Sequence, residues 1–292
     1  MRVSIVRSIL VFACVLAVGA SARSATGEEL KKVAERLLPF APGGEIHIDD
    51  KNGRLTVDAW PRHDVRIQIT RVVRAGDHAK AEALMKELQS EVEVKSGRID
   101  VQSRFPRRVE SIGIMDLFGR NSTNLQINYY VQVPEDTDLW LQTTNGEVQV
   151  QGTSGHLDAR TTNGGVQVSN VRGNVVLQTT NGEVHVTNVT GQACAHTTNG
   201  AVVAELRKLP TSGTVDLQTT NGNVEATFDR DLKADLDAST TNGRVSVEFP
   251  VAASIARGSR TIHGTIQGGG AKITIQTTNG NVEVRRVGER RP

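Results

Sequence analysis

The four residues Thr-Thr-Asn-Gly occur seven times in this chain, beginning at Thr143, Thr161, Thr179, Thr197, Thr219, Thr240 and Thr277. The first three steps are 18 residues each, and the next are 22, 21 and 37. The degenerate copy Thr261-Ile262-His263-Gly264 divides the longest gap into 21 and 16. A period held near 18 is the signature of a repeat architecture.

The flanks of the motif repeat as well. Leu139 and Leu141 precede the first copy, Leu157 and Ala159 the second, Val175 and Leu177 the third. Val148 and Val150, Val166 and Val168, and Val184 and Val186 follow them. Apolar residues at every second position mark β-strands with one buried face. Each unit is therefore a strand, a corner at Asn-Gly, a second strand and a short closing segment such as Ser169 to Gly173 or Thr187 to Gly191. Aromatic residues make up only 3% of the chain, so the core must be aliphatic.

Asn-Gly between alternating strands is a strong hairpin signal, and a meander of hairpins is the competing architecture. The sameness of the motif favours a solenoid. A turn in a meander has no reason to match the turn 18 residues later, whereas in a solenoid equivalent residues stack about 4.8 Å apart. The fold class is therefore all-β, a single-stranded β-solenoid of about 18–22 residues per coil. A column of Asn side chains has both donors and acceptors and bonds from coil to coil. The structural ladder is Asn145, Asn163, Asn181, Asn199, Asn221, Asn242 and Asn279. Sequence order makes Asn279 its terminal member. Counting by twos from Leu141 places Thr143 and Asn145 on the inner side, with Thr hydroxyls forming a second ladder.

Four regions follow: a signal peptide at 1–22, a β-rich N-terminal cap at 23–138, the repeat solenoid at 139–285 and a basic tail at 286–292. Arg2 and Arg7, the apolar run Ile9 to Ala20 and Ala20-Ser21-Ala22 fit a secretory signal cut after Ala22. The run is shorter than the roughly 20 residues of a membrane span, and Cys14 sits poorly in a lipidation motif. Within the cap, Asp49 to Trp60 and Val94 to Ser103 read as worn copies of the corner. Thr26 to Leu38 reads as a capped helix with Leu30, Val33 and Leu37 on one face. A second helix starts at the cap Asp77. Residues 104–124 read as a loop, and Leu125 to Pro134 as a strand leading into the array.

The degenerate Asn-Gly-Arg-Leu-Thr-Val strands, the short helix, the stretch YYVQVPEDTDLWLQTTNGEVQV and the TTNGxVxV units follow the signal peptide in that order. This order resembles a bacterial family of β-strand-repeat domains of unknown function whose members are named as candidate adhesins. The resemblance covers most of residues 45–285. It implies a right-handed β-solenoid in an exported envelope protein, and carries over no catalytic residues.

Without residues 1–22 the basic residues fall from 34 to 32, against 32 acidic ones. A chain with no net charge argues against a nucleic-acid partner. No cofactor motif or metal-ligand spacing stands out. The glycine run Gln267 to Lys272 does not open a helix, as a phosphate loop would. Cys194, the one cysteine left after cleavage, reads as an unremarkable outward thiol, and His185, His196 and His263 as surface residues. Trp140 is the single candidate for a ligand platform, against the simpler role of packing under the cap. Asp216 and Asp237 each lie three residues before their motif and, if stacked in sequence order, form a close pair. Such a pair reads as splayed surface charges, a Ca²⁺ site or a glycosidase-like dyad. The function expected is adhesion, binding or scaffolding in the cell envelope, periplasmic or extracellular, with an envelope protein or polysaccharide as partner and no integral membrane segment. A polysaccharide lyase or hydrolase on a β-helix is the alternative.

Overall fold

The computed structural model of the protein describes residues 20–24, 27–106, 123–252 and 260–288. The apolar part of the expected signal peptide, Cys14, the capping residue Thr26, most of the expected loop at 104–124 and the end of the tail lie outside the described residues.

The described residues build a β-solenoid-like stack from two long sheets of 12 strands each. One sheet collects the strands that follow the Asn-Gly corner, and the other collects those that lead into it. Register between coils is kept through the array, with one shift, between Thr187 and Val189, where Val184–Val189 pairs with Val202–Leu206. Val148 pairs with Val166, Val166 with Val184, Val184 with Val202 and Val202 with Val224, all parallel. Leu139, Leu157, Val175, Ala193 and Val215 do the same in the opposite sheet. The side chains at these positions are buried between the sheets and form one continuous aliphatic core.

The corner explains its own sequence. The first Thr of each motif is buried, and in every copy after that of Thr143 its hydroxyl donates to the glycine carbonyl of the neighbouring coil, as Thr161 does to Gly146, Thr179 to Gly164 and Thr197 to Gly182, at 2.8–2.9 Å. The hydroxyls thus bond to backbone, not to one another as a second ladder. The second Thr is exposed. The Asn amides do form a ladder: Asn163 donates to Asn145, Asn181 to Asn163, Asn199 to Asn181 and Asn221 to Asn199, each at 2.8 Å. These amides are exposed, contrary to the count by twos, because the backbone turns at the corner and the alternation ends there. The glycine is fixed by close approach. A Cβ at Gly182 would sit 2.0 Å from the Gly164 carbonyl oxygen, and one at Gly200 2.0 Å from that of Gly182.

The coil order departs from the chain order at one place. The strand Ala271–Asn279 lies between Thr214–Asn221 and Ala234–Asn242, and Val282–Arg286 lies between Val224–Phe228 and Val245–Val247. The last coil in sequence is inserted inside the stack. The ladder accordingly runs from Asn221 to Asn279 to Asn242, and Asn242, not Asn279, is its end. The Thr261-Ile262-His263-Gly264 segment is no corner. It belongs to the strand Thr261–Ile266, which runs antiparallel along the outer side of Ala234–Asn242. Gly268 and Gly269, with φ of 88° and 85°, turn the chain over the end of that neighbour and back into the stack.

On the N-terminal side, Glu45–Asp49 and Leu55–Ala59 form a true coil, and Asn52 bridges to Asn145. The Val94 to Ser103 stretch is instead an antiparallel hairpin of Gln89–Lys95 with Arg98–Arg104, turned at Gly97 with φ 74°. The second expected helix is present as His78–Glu87, with Asp77 accepting from the Lys80 amide at 2.8 Å. The first is not. Gly27–Pro39 is a strand that pairs with Asp64–Ala75 over twelve residues. Cross-strand pairs Glu35–Arg66 at 2.8 Å and Glu29–Arg74 at 2.6 Å reinforce it. Leu37, assigned to the buried helical face, is 50% exposed, while Leu38 is buried. Leu125 lies in the strand Asn124–Val133, as expected. The outermost strand of this sheet, Ala20–Ser24, spans the expected cleavage point.

Candidate functional site

The outer face of the sheet that leads into the corners carries the candidate residues Trp140, Asp216 and Asp237. Alternation sends every second residue outward, and parallel pairing without slip lines these residues up across the sheet. One row runs His47, Trp140, Asp158, Val176, Cys194, Asp216. The row beside it runs Asp49, Gln142, Arg160, Gln178, His196, Gln218. The exposed second Thr of each motif forms a third.

Trp140 is half-buried in this face. Its ring stacks on His47, with centroids 4.5 Å apart and planes within 11°, and His156 tilts against it at 5.5 Å. Beside it lies a shallow depression of about 220 Å³ bordered by His47, Asp49, Trp140, Gln142, Asp158 and Arg160. Arg160 and Asp158 are paired at 2.7 Å. Trp140 thus rests on a residue of the N-terminal coil and also borders an open polar hollow.

Asp216 and Asp237 are not brought together. The inserted strand places Thr274 between them, paired to Asp216 on one side and to Asp237 on the other. Two strand spacings, about 9.6 Å, separate their backbones. Asp216 accepts from Gln218 Nε2 at 2.8 Å and lies 3.3 Å from His196, whereas Asp237 pairs with His263 at 3.1 Å. The two carboxylates therefore do not form the close pair that stacking in sequence order would give, and each has a histidine beside it instead.

Two groupings escaped the sequence reading. The first is Cys194, His196 and Asp216, whose donor atoms all lie within 4.8 Å of one another. Burial, then the carboxylates of Asp216 and Asp158, push the Cys194 thiol up from its usual range. The signal was present: Cys194 and Asp216 hold the same place before their motifs, so stacking predicts their contact. The second is a buried polar cluster. Asp50 takes the place of the first Thr in the worn corner Asp50-Lys51-Asn52-Gly53 and is bonded to Ser103, whose hydroxyl lies 3.2 Å from that of Tyr129. Tyr129 in turn donates to Ser90 at 2.7 Å. Burial raises the Asp50 carboxyl to about 6 and the Tyr129 phenol to about 12.

Stacked, in-register coils with a corner ladder define a repeat protein of the β-solenoid-like class. More particularly, the chain belongs to the family Toastrack DUF4097, which it matches over residues 85–285. Solved structures similar to it include a candidate cell adhesion protein from Clostridium sporogenes ATCC 15579, 11% identical, covering 87% of this chain and 100% of that one, with a TM-score of 0.35. Another is a candidate adhesin from Bacteroides fragilis NCTC 9343, 10% identical, covering 88% and 97%, with a TM-score of 0.42. A third, a candidate lipid binding protein from Parabacteroides distasonis ATCC 8503, is 11% identical, covers 87% and 96%, and has a TM-score of 0.27. Likenesses this low carry no function from one chain to another. No curated protein matches the chain.

Proposed function

We propose that this is an exported cell-envelope protein that works without catalysis, binding polysaccharide along the outer face of the sheet that leads into the corners. Export is supported by the charged start, apolar run and small-residue cleavage pattern of residues 1–22. The observation that carries the binding reading is the periodic outer face. An exposed Thr hydroxyl recurs at each copy of the motif, and Trp140 offers an aromatic surface beside the polar groups of Gln142, Asp158 and Arg160. Sugars are bound in this way, with a ring face against an aromatic side chain and hydroxyls against short polar ones.

The chain has two tryptophans, Trp60 and Trp140, so a Trp60→Phe variant makes Trp140 the sole indole reporter. The protein, taken from the envelope fraction where its N-terminus should read Arg23, is titrated with purified envelope polysaccharide. Saturable change in Trp140 emission, lost cosedimentation in Trp140→Ala and no release of new sugar ends are the expected results. Unchanged emission with no cosedimentation contradicts the binding reading, and released sugar ends contradict the non-catalytic one.

A further inference from the structure

Cys194, His196 and Asp216 stand out against the repeat that surrounds them. In the row beside the exposed Thr residues, the positions equivalent to His196 are Gln142, Gln178, Gln218 and Gln276 in four other coils. In the row behind it, no other coil carries a cysteine. Both departures fall on one strand, Ala193–Asn199, two residues apart and therefore on one face. The register then sets Asp216 directly beside Cys194 on the next strand, Thr214–Asn221.

The distances decide what the three can do. Cys194 Sγ lies 3.6 Å from His196 Nε2, and an Asp216 carboxylate oxygen lies 3.3 Å from that same Nε2. A nucleophilic triad needs the thiol on one ring nitrogen and the carboxylate on the other, so that the acid orients the base. Here both partners meet the same nitrogen, which is not the arrangement of that relay and leaves three donors within 4.8 Å of one another. With Zn–S of about 2.3 Å and Zn–N and Zn–O of about 2.0–2.2 Å, a tetrahedral ion has ligand-to-ligand edges of about 3.4–3.6 Å. The separations of 3.6 and 3.3 Å are close to those edges. Gln218 Nε2 donates to the other Asp216 oxygen at 2.8 Å, fixing the carboxylate as an outer-shell partner does. All three donors sit on strands paired on both sides, so they are held by rigid backbone.

We propose that Cys194, His196 and Asp216 form a divalent metal site for Zn²⁺. Thiolate, imidazole and carboxylate together suit zinc, whereas Mg²⁺ and Ca²⁺ prefer oxygen alone. The three protein ligands leave a fourth position facing outward, open to water or to a donor on a bound molecule. Coordination displaces the Cys194 thiol proton. The site lies two coils from the Trp140 hollow and does not depend on the polysaccharide reading.

The test is calorimetric titration of the full chain with Zn²⁺, together with Co²⁺ absorption as a report on thiolate ligation. One Zn²⁺ per chain and a thiolate-to-Co²⁺ charge-transfer band are expected in the unaltered protein. Cys194→Ser should abolish both, and Gln218→Leu should weaken Zn²⁺ binding by about tenfold. An Asp237→Asn/His263→Gln variant, which removes the other His–Asp pair, should bind as the unaltered protein does. Absence of saturable Zn²⁺ binding, Co²⁺ binding without the thiolate band, or a Zn²⁺ affinity unaltered in Cys194→Ser would each overturn the assignment. The Co²⁺ band in the unaltered protein decides the matter even if a variant folds poorly.

Discussion

At the scale of single residues, the four letters of the motif have four separate tasks. The first Thr ties its coil to the neighbouring glycine carbonyl, the second faces solvent, the Asn bonds to its copies and the Gly lets two backbones touch. The identities were legible in the sequence because repetition exposes them. The side on which the Asn lies was not, since period-two counting holds only while the strand continues, and the strand bends at the corner. Two adjacent glycines separate steric need from mere tolerance. A Cβ at Gly164 would lie 2.1 Å from the Gly146 carbonyl oxygen, whereas one at Gly165 would meet nothing nearer than Glu183 O at 3.2 Å. Gly164→Ala should therefore cost roughly 2–3 kcal/mol in urea melts, and Gly165→Ala about 1 kcal/mol or less.

Asp50 supplies a pH dependence of the opposite sense to a salt-bridged carboxylate. Its carboxyl rises from 3.8 to about 6 in the folded protein, mainly through burial. The folded state thus holds the proton more tightly than the unfolded state. The group's contribution is fully present below about pH 4 and is lost as pH rises through about 6. A shift of that size is worth on the order of 3 kcal/mol. Replacing Asp50 with Asn should remove this part of the slope when stabilities at about pH 4 and pH 7 are compared. An identical slope in the variant would show that Asp50 does not carry it.

At the scale of elements, the strands flanking each motif and the capped helix His78–Glu87 were readable from local pattern. The strand Gly27–Pro39 was not. Its Lys, Glu, Leu and Ala favour helix, and only pairing with a distant segment reveals the strand. Twelve residue pairs with Asp64–Ala75 outweigh a per-residue preference of tenths of a kcal/mol. Exposed Lys31 and Lys32 also suit a strand near a sheet edge, where charge discourages further pairing. The Val94 to Ser103 stretch shows the same limit. A Ser-Gly turn between alternating strands is compatible with a corner or a hairpin, and partners elsewhere in the chain choose between them. The metal site was within reach of sequence reasoning, because both cross-strand ligands share one place in the repeat. The separation of Asp216 from Asp237 was not, because it depends on which coil is spatial neighbour to which.

At the scale of the whole molecule, the repeat is stacked in an order that differs from the order of synthesis. The coil of residues 271–286 fills the gap between the coils that carry Asn221 and Asn242. Nearest-neighbour contacts stabilise a repeat stack, so the C-terminal residues are interior to it and the coil ending at Asn242 depends on them. Double-mutant cycles on the ladder test this directly. Asn221→Ala and Asn279→Ala should couple by about 0.5 kcal/mol or more in urea melts, as bonded neighbours do. Asn221→Ala and Asn242→Ala, which share only Asn279, should be closer to additive. Stronger coupling between Asn221 and Asn242 than between Asn221 and Asn279 would mean that the coils stack in chain order, and would contradict the inserted coil on which the architecture rests.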